Sequence, residues 1–267
     1  MAGKPRILII TGYGLNCEAE SEYAWAQAGA APERMHLHDL LERPEHLLDY
    51  AGLMFIGGFS FGDHLGSGQV MAARLRRRLR PELERFIAAG RLILGVCNGF
   101  QIMVKLGLLP GLDSDYFTQR LALMKNDCGV FQNFWVTLRF EEKSPCVFTR
   151  GLEPLPLPIR HGEGKLYTPD RALLERVEAG GGVACRYADP ATGAATREFP
   201  HNPNGSLNAI AGLCDPTGRM FGLMPHPEAY VHPENHPQWT DQRRRGALPP
   251  RGLGLKIFEN AVAHLRG

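Results

Sequence analysis

Three short runs, Ile7 to Ile10, Leu53 to Ile56 and Leu92 to Val96, are apolar at nearly every position, and stretches of helical character separate them. A strand that is apolar throughout is buried on both faces, which is the environment of a parallel sheet covered by helices. Between the runs, Glu18 to Ala28 and Val70 to Ala89 read as helices. In the second, Met71, Leu75, Leu79, Leu83 and Ile87 recur every four residues and form one apolar stripe. Pro81 suits a first helical turn and not an interior, so this stretch is predicted to divide in two. The βαβα rhythm predicts an α/β fold with a doubly wound, mostly parallel sheet and helices on both faces.

The second half of the chain has a different texture. Phe134, Val136, Leu138 and Phe140 alternate with Trp135, Thr137 and Arg139, the pattern of a half-buried strand of antiparallel character. Pro154, Pro156, Pro158 and Gly180-Gly181-Gly182 then read as loops. Strands are expected again at Val183 to Tyr187, Ile210 to Leu213 and Met220 to Met224. A closing amphipathic helix is expected around Leu255, Phe258, Val262 and Leu265. No internal repeat or low-complexity linker divides the 267 residues, so a single domain over 1–267 is expected.

Composition narrows the function classes. Thirty basic against 28 acidic residues leave a charge of +2, too small for a general nucleic-acid binder. No apolar run approaches the ~18 residues of a membrane span. The apolar stretch after Met1-Ala2-Gly3-Lys4-Pro5 is too short for a signal-peptide core and lacks a small-residue cleavage site. Six cysteines in this length do not make a secreted disulfide scaffold, and reduced thiols in the cytoplasm are expected.

The chemistry concentrates where the third apolar run ends, at Gly95-Val96-Cys97-Asn98-Gly99-Phe100-Gln101, followed by Ile102, Val104 and Leu106 at helical spacing. Small residues around a cysteine between strand and helix make the thiol counterpart of a nucleophile elbow, with the helix N-terminus favouring thiolate. A buried, inert cysteine is the competing reading. A nucleophile needs a base and the base an orienting group. Both stand at the end of a later strand, in Phe221-Gly222-Leu223-Met224-Pro225-His226-Pro227-Glu228. Two apart in an extended segment, Glu228 and His226 share a face, so Glu228 can hold the imidazole while it addresses Cys97. A metal cluster of His226, His232, His236, Glu228 and Glu234 competes, but its spacing lacks the helical i, i+4 arrangement and prolines interrupt it. No metal is expected.

Gly-Val-Cys-Asn-Gly-Phe-Gln with a later Met-Pro-His-Pro-Glu resembles the class I, triad-type glutamine amidotransferases. Within them the chain is similar to the glutaminase subunits of phosphoribosylformylglycinamidine synthases of purine biosynthesis. Three further segments carry that likeness: Gly57-Gly58-Phe59-Ser60-Phe61-Gly62-Asp63, Gly107-Leu108-Leu109-Pro110-Gly111 and His161-Gly162-Glu163-Gly164-Lys165. The resemblance implies a flavodoxin-like sheet and a triad of Cys97, His226 and Glu228 that forms a γ-glutamyl thioester. It implies an oxyanion site at Gly57, Gly58 and Asn98, and Gln101 on the amino-acid end of the glutamine. The His161 to Gly164 segment would form another wall of the site or meet the partner. Ammonia would pass to a separate large synthetase subunit that uses ATP and magnesium to convert formylglycinamide ribonucleotide to the amidine, with a small bridging subunit completing the assembly. The chain itself has no Gly-x-x-x-x-Gly-Lys-Ser/Thr phosphate loop, so no cofactor is expected on it.

Some positions depart from the family pattern: Gly66 where arginine is common, Gly14-Leu15 before Asn16-Cys17, and a long Glu234 to Pro250 segment. A glutaminase serving another amide-transferring synthetase, and a cysteine hydrolase or stress protein of similar fold, are the alternatives. Cys17, Cys128, Cys146, Cys185 and Cys214 lack an elbow and read as core or incidental thiols. The basic run Arg74, Arg76, Arg77, Arg78 and Arg80 reads as a solvated helix face, with Arg243-Arg244-Arg245 of the same character.

Overall fold

The computed structural model describes residues 3–267, so Met1 and Ala2 of the amino-terminal reading lie outside it. Each apolar run becomes a strand: β1 (Arg6–Thr11), β3 (Gly52–Phe55) and β4 (Leu92–Val96). Between β1 and β3 lie α1 (Glu18–Gln27), β2 (Ala31–His36) and α2 (Leu37–Glu42). The predicted break at Pro81 is present, as α3 (Gln69–Arg78) ends before α4 (Arg80–Ala88) starts with the proline in its first turn. After β4 come α5 (Asn98–Leu106), β5 (Ala122–Lys125), β6 (Gln132–Phe140), β7 (Leu155–His161) and β8 (Glu163–Tyr167). The chain closes with α6 (Arg171–Ala179), β9 (Val183–Ala188), β10 (Ile210–Cys214), β11 (Met220–Leu223), α7 (Trp239–Arg244) and α8 (Leu255–Arg266).

Nine strands form one sheet in the order β2-β1-β3-β4-β11-β10-β9-β6-β7. The first five are parallel, in the order of a flavodoxin-like doubly wound sheet. From β11 onward the pairings through β10, β9, β6 and β7 are antiparallel. A small antiparallel ribbon of β5 and β8 stands apart. The core is one contiguous apolar cluster, with Ile7 to Ile10 and Leu92 to Leu94 at most 1% exposed and Trp25 edge-on to Phe258 of α8 beneath.

One sequence expectation requires correction. The proline-rich stretch Pro154 to Pro158 is not a loop: Pro156 and Pro158 lie inside β7, opposite Thr137 and Trp135 of β6. The stretch is tolerated there because β7 is an edge strand, where a missing N–H costs no ladder bond, while Leu155, Leu157 and Ile159 supply the buried face. β2 was concealed for the same reason, since an edge strand reading Ala-Pro-Glu-Arg-Met-His is half exposed and carries no apolar run. The basic run is the solvated helix face that the sequence suggests, with Arg74, Arg77, Arg78 and Arg80 exposed and Arg76 half-buried. Arg76 and Arg78 donate to the carbonyls of Lys105 and Leu41, Arg80 pairs with Glu84, and Arg74 lies over the rings of Tyr13 and Phe61.

Candidate active site

β4 and β11 are adjacent and parallel, with Val96 opposite Leu223, so their carboxyl ends emerge side by side. That one pairing joins Cys97 to His226 across most of the chain. Ligand sites of open parallel sheets gather at this end. Cys97 itself has φ 53° and ψ −107°, a conformation costly for a residue with a Cβ. Its amide donates to Leu223 O at 2.8 Å, which fixes the turn to the neighbouring strand. Gly99 allows the turn to sit tightly, since a Cβ there would overlap the carbonyl oxygen of Phe55 in β3. The strained cysteine between strand and helix is therefore held by its surroundings.

His226 leaves β11 with its amide donating to Pro158 O on the outer edge of β7 at 2.8 Å. Its Nδ1 lies 2.6 Å from Glu228 Oε1, and both side chains are essentially buried. The two are not in an extended segment as the spacing suggested. Pro227–Ala229 forms a single 3₁₀ turn that brings the carboxylate back onto the ring. Burial opposes a charge on His226, but the Glu228 carboxylate and the Cys97 sulfur together outweigh it and hold the imidazole well above its usual range. Nε2 of His226 has no hydrogen-bond partner and is left for chemistry.

The remaining residues fall into two groups. Gly58 lines a cavity of about 210 Å³ with Cys97 and His226. Gly57 lies directly behind: a Cβ there would stand 2.8 Å from His226 Cε1 and 3.0 Å from Cys17 Sγ, so glycine is required by the imidazole. Asn98 and Gln101 are buried beneath the turn, and neither side chain lines the cavity. Asn98 Nδ2 donates to Asp63 Oδ1 at 3.2 Å and Gln101 Oε1 at 2.9 Å, its Oδ1 accepts from Ser60 N, and Gln101 Nε2 donates to Glu163 O at 2.6 Å. Glu163 in turn accepts from Ser67 N. The elbow, the glycine-rich loop and the His-Gly-Glu-Gly segment thus form one polar network under the site. Asn98 still offers its backbone N–H, at the start of α5 where helical amides lack acceptors.

His161 is 2% exposed, with Nδ1 3.2 Å from Asn126 Oδ1, so it does not present itself to a partner surface. Burial, then the neighbouring His226, push it down to about 3, and it stays neutral. The structure separates the histidines of the metal reading: His236 packs on Trp135 and Tyr230, and His232 on Tyr23.

Three participants in the cavity went unseen in the sequence. Cys17, read as core or incidental, lies beside His226, and the ligating atoms of Cys17, His226 and Glu228 all lie within 4.8 Å of one another. Burial is the main cause that pushes this thiol up to about 11, so it remains protonated. Arg160 and Glu20 also line the cavity, giving it one charge of each sign. Arg160 follows a proline-rich stretch that resembled a loop; only the β6–β7 register, with Arg160 opposite Asn133, places it there.

Comparison with known proteins follows the same line. The CobB/CobQ-like glutamine amidotransferase domain family matches residues 4–265. A relative from Dehalococcoides mccartyi, named phosphoribosylformylglycinamidine synthase subunit PurQ, is 40% identical over 264 residues and 98% of both chains. A relative of the same name from Methanococcus maripaludis is 39% identical over 266 residues, covering 97% of each. Among solved structures, that of PurLQS from Thermotoga maritima matches with a TM-score of 0.70 and 29% identity, covering 98% of this chain and 99% of that one. On its sequence and its architecture alike, the chain belongs to the CobB/CobQ-like glutamine amidotransferase domain family.

Proposed function

We propose that this chain is the glutaminase subunit of a phosphoribosylformylglycinamidine synthase, releasing ammonia from glutamine for a separate synthetase subunit. The observation that carries the chemistry is the strained Cys97 turn beside a buried His226–Glu228 pair on the adjoining strand. The narrower assignment is supported by relatives of that name aligned over nearly the whole chain and by likeness to a chain of the PurLQS structure.

His226 Nε2 takes the proton of Cys97 beforehand, in keeping with its raised proton affinity, and the Cys97 thiolate attacks the side-chain amide carbon of glutamine. The imidazolium, stabilised by Glu228, returns that proton to the departing ammonia. A water then hydrolyses the γ-glutamyl thioester, with His226 again as base. The backbone N–H groups of Gly58 and Asn98, in the Gly57-Gly58 turn and at the start of α5, serve the tetrahedral oxyanion, a role whose loss costs about a hundred- to thousandfold in rate. The cavity of about 210 Å³ suits a small amino acid, being below the ~300 Å³ at which drug-sized ligand sites begin. Arg160 and Glu20 complement the α-carboxylate and α-ammonium of a zwitterion, a part that Gln101, committed to Asn98 and Glu163, does not fill from beneath. ATP and magnesium act on the large synthetase subunit, and a small bridging subunit joins the two. The assembly belongs in the cytoplasm, in keeping with six free thiols and with the absence, among the described residues, of any helix long and apolar enough to cross a membrane.

The test is reconstitution with the cognate synthetase. Glutamine-dependent amidine formation, and labelling of Cys97 by a diazo-ketone glutamine analogue, are expected. A mixture that works only with added ammonia defeats the assignment.

A further inference from the structure

A cavity of about 560 Å³ lies away from Cys97 and His226. It opens at the opposite end of the sheet, where Arg91 precedes β4 and Met220 begins β11, and α4 and the 114–117 loop form its walls. Its volume lies within the ~300–1,000 Å³ of small-molecule sites.

Its charge is one-sided once the internal pairs are set aside. Arg80 is paired with Glu84, and Asp115 with Arg120. Asp215, which is fully buried, is occupied by Met220 N, Thr217 and the Tyr116 hydroxyl. Among the described residues, Arg91 and Arg219 enter no ion pair. Arg219 is held in place: its Nε donates to Thr217 Oγ1 at 3.3 Å, and its guanidinium lies over Gly90, where a Cβ would come within 2.6 Å of Nη1. The uncompensated charge extends beyond the cavity, since His264 is lowered by burial first and then by Arg150 and Arg219. Two rings, Tyr116 and Phe117, face the same space, with Arg80 over Phe117 at 4.9 Å.

Two unpaired guanidiniums beside aromatic rings, in a cavity of this size, fit a phosphate joined to a flat heteroaromatic ring. We infer that the amino-terminal end of the sheet carries a binding site for a nucleoside monophosphate, with Arg91 and Arg219 on the phosphate and Tyr116 and Phe117 on the base. The site is separate from Cys97, so its test does not depend on the glutaminase assignment.

Titration calorimetry of the intact chain with AMP, with inorganic phosphate and adenosine as partial ligands, tests it. Saturable one-to-one binding of AMP is expected, tighter than either fragment and unaffected by glutamine. In Arg91→Ala/Arg219→Ala, affinity should fall by at least about tenfold, the loss of two charge-assisted contacts. Ala88→Trp, which fills the cavity from α4, should abolish binding while leaving the arginines intact, and decides the matter if the double variant misfolds. Absence of saturable AMP binding at millimolar concentration, AMP affinity unchanged in folded variants, or displacement of AMP by glutamine overturns the inference.

Discussion

The two halves of the sheet contribute to the candidate site in different ways. The parallel half supplies the turn at Cys97: β4 ends in it, β3 ends before Gly57-Gly58, and Phe55 O of β3 and Leu223 O of β11 constrain the elbow. The antiparallel half supplies support. Pro158 O of β7 anchors the His226 backbone, Arg160 reaches the cavity, and His161 packs nearby as a neutral ring. Parallel strands thus carry the residues of the proposed chemistry, and an edge strand sets their surroundings. Errors in the first half should abolish the reaction, and errors in the second should weaken it.

The largest effect is expected at the elbow. Cys97→Ala should reduce glutamine hydrolysis by about ten-thousandfold or more, with thermal unfolding unchanged, because it removes the proposed nucleophile. Next comes Glu228→Gln, which should lower the rate by about a hundred- to ten-thousandfold through loss of the imidazolium's partner, as for the acid of other triads. The same variant should alter pH dependence. His226 binds its proton more tightly in the folded chain than unfolded, so its contribution to stability is full below the ordinary histidine value of ~6.5 and is lost as pH rises through the raised folded value. Unfolding temperature measured against pH should decline on the alkaline side, and Glu228→Gln should flatten that decline.

On the antiparallel side, Leu157→Ala in β7 should cost about 2–5 kcal/mol in denaturant unfolding by opening a cavity at a fully buried position. Arg160→Ala should raise KM for glutamine by about tenfold, the worth of one exposed charge-assisted contact, with kcat less changed. Pro156→Val should shift stability by no more than about 0.5 kcal/mol, as the edge strand has no ladder bond to gain or lose there. A large effect of Pro156→Val, or an Arg160→Ala effect confined to kcat, would break the division between the halves.

How readable each part was follows from where its physical constraint resides. Leu92 to Val96 reads as a buried strand because every side chain is packed on both faces, and Pro81 marks the α3–α4 break by its own geometry. β7 does not read as a strand, since its prolines obey a rule about edges and edges are a property of the finished sheet. Asn98 and Gln101 read as residues that matter, but their partners Ser60 and Asp63 arrive from the glycine-rich loop and Glu163 from the start of β8. Cys17 lacks an elbow of its own: it lies against His226 because α1 begins beside the glycine turn after β3.

The sequence by itself determined the buried parallel strands, the split helix and the elbow around Cys97, all set by residues close in the chain. Tertiary structure alone decided which strands are neighbours. The β4–β11 pairing unites Cys97 and His226, the β6–β7 register delivers Arg160, and the 3₁₀ turn at Pro227 closes Glu228 onto His226. Local propensity is encoded residue by residue, whereas adjacency depends on how the whole apolar surface is buried at once.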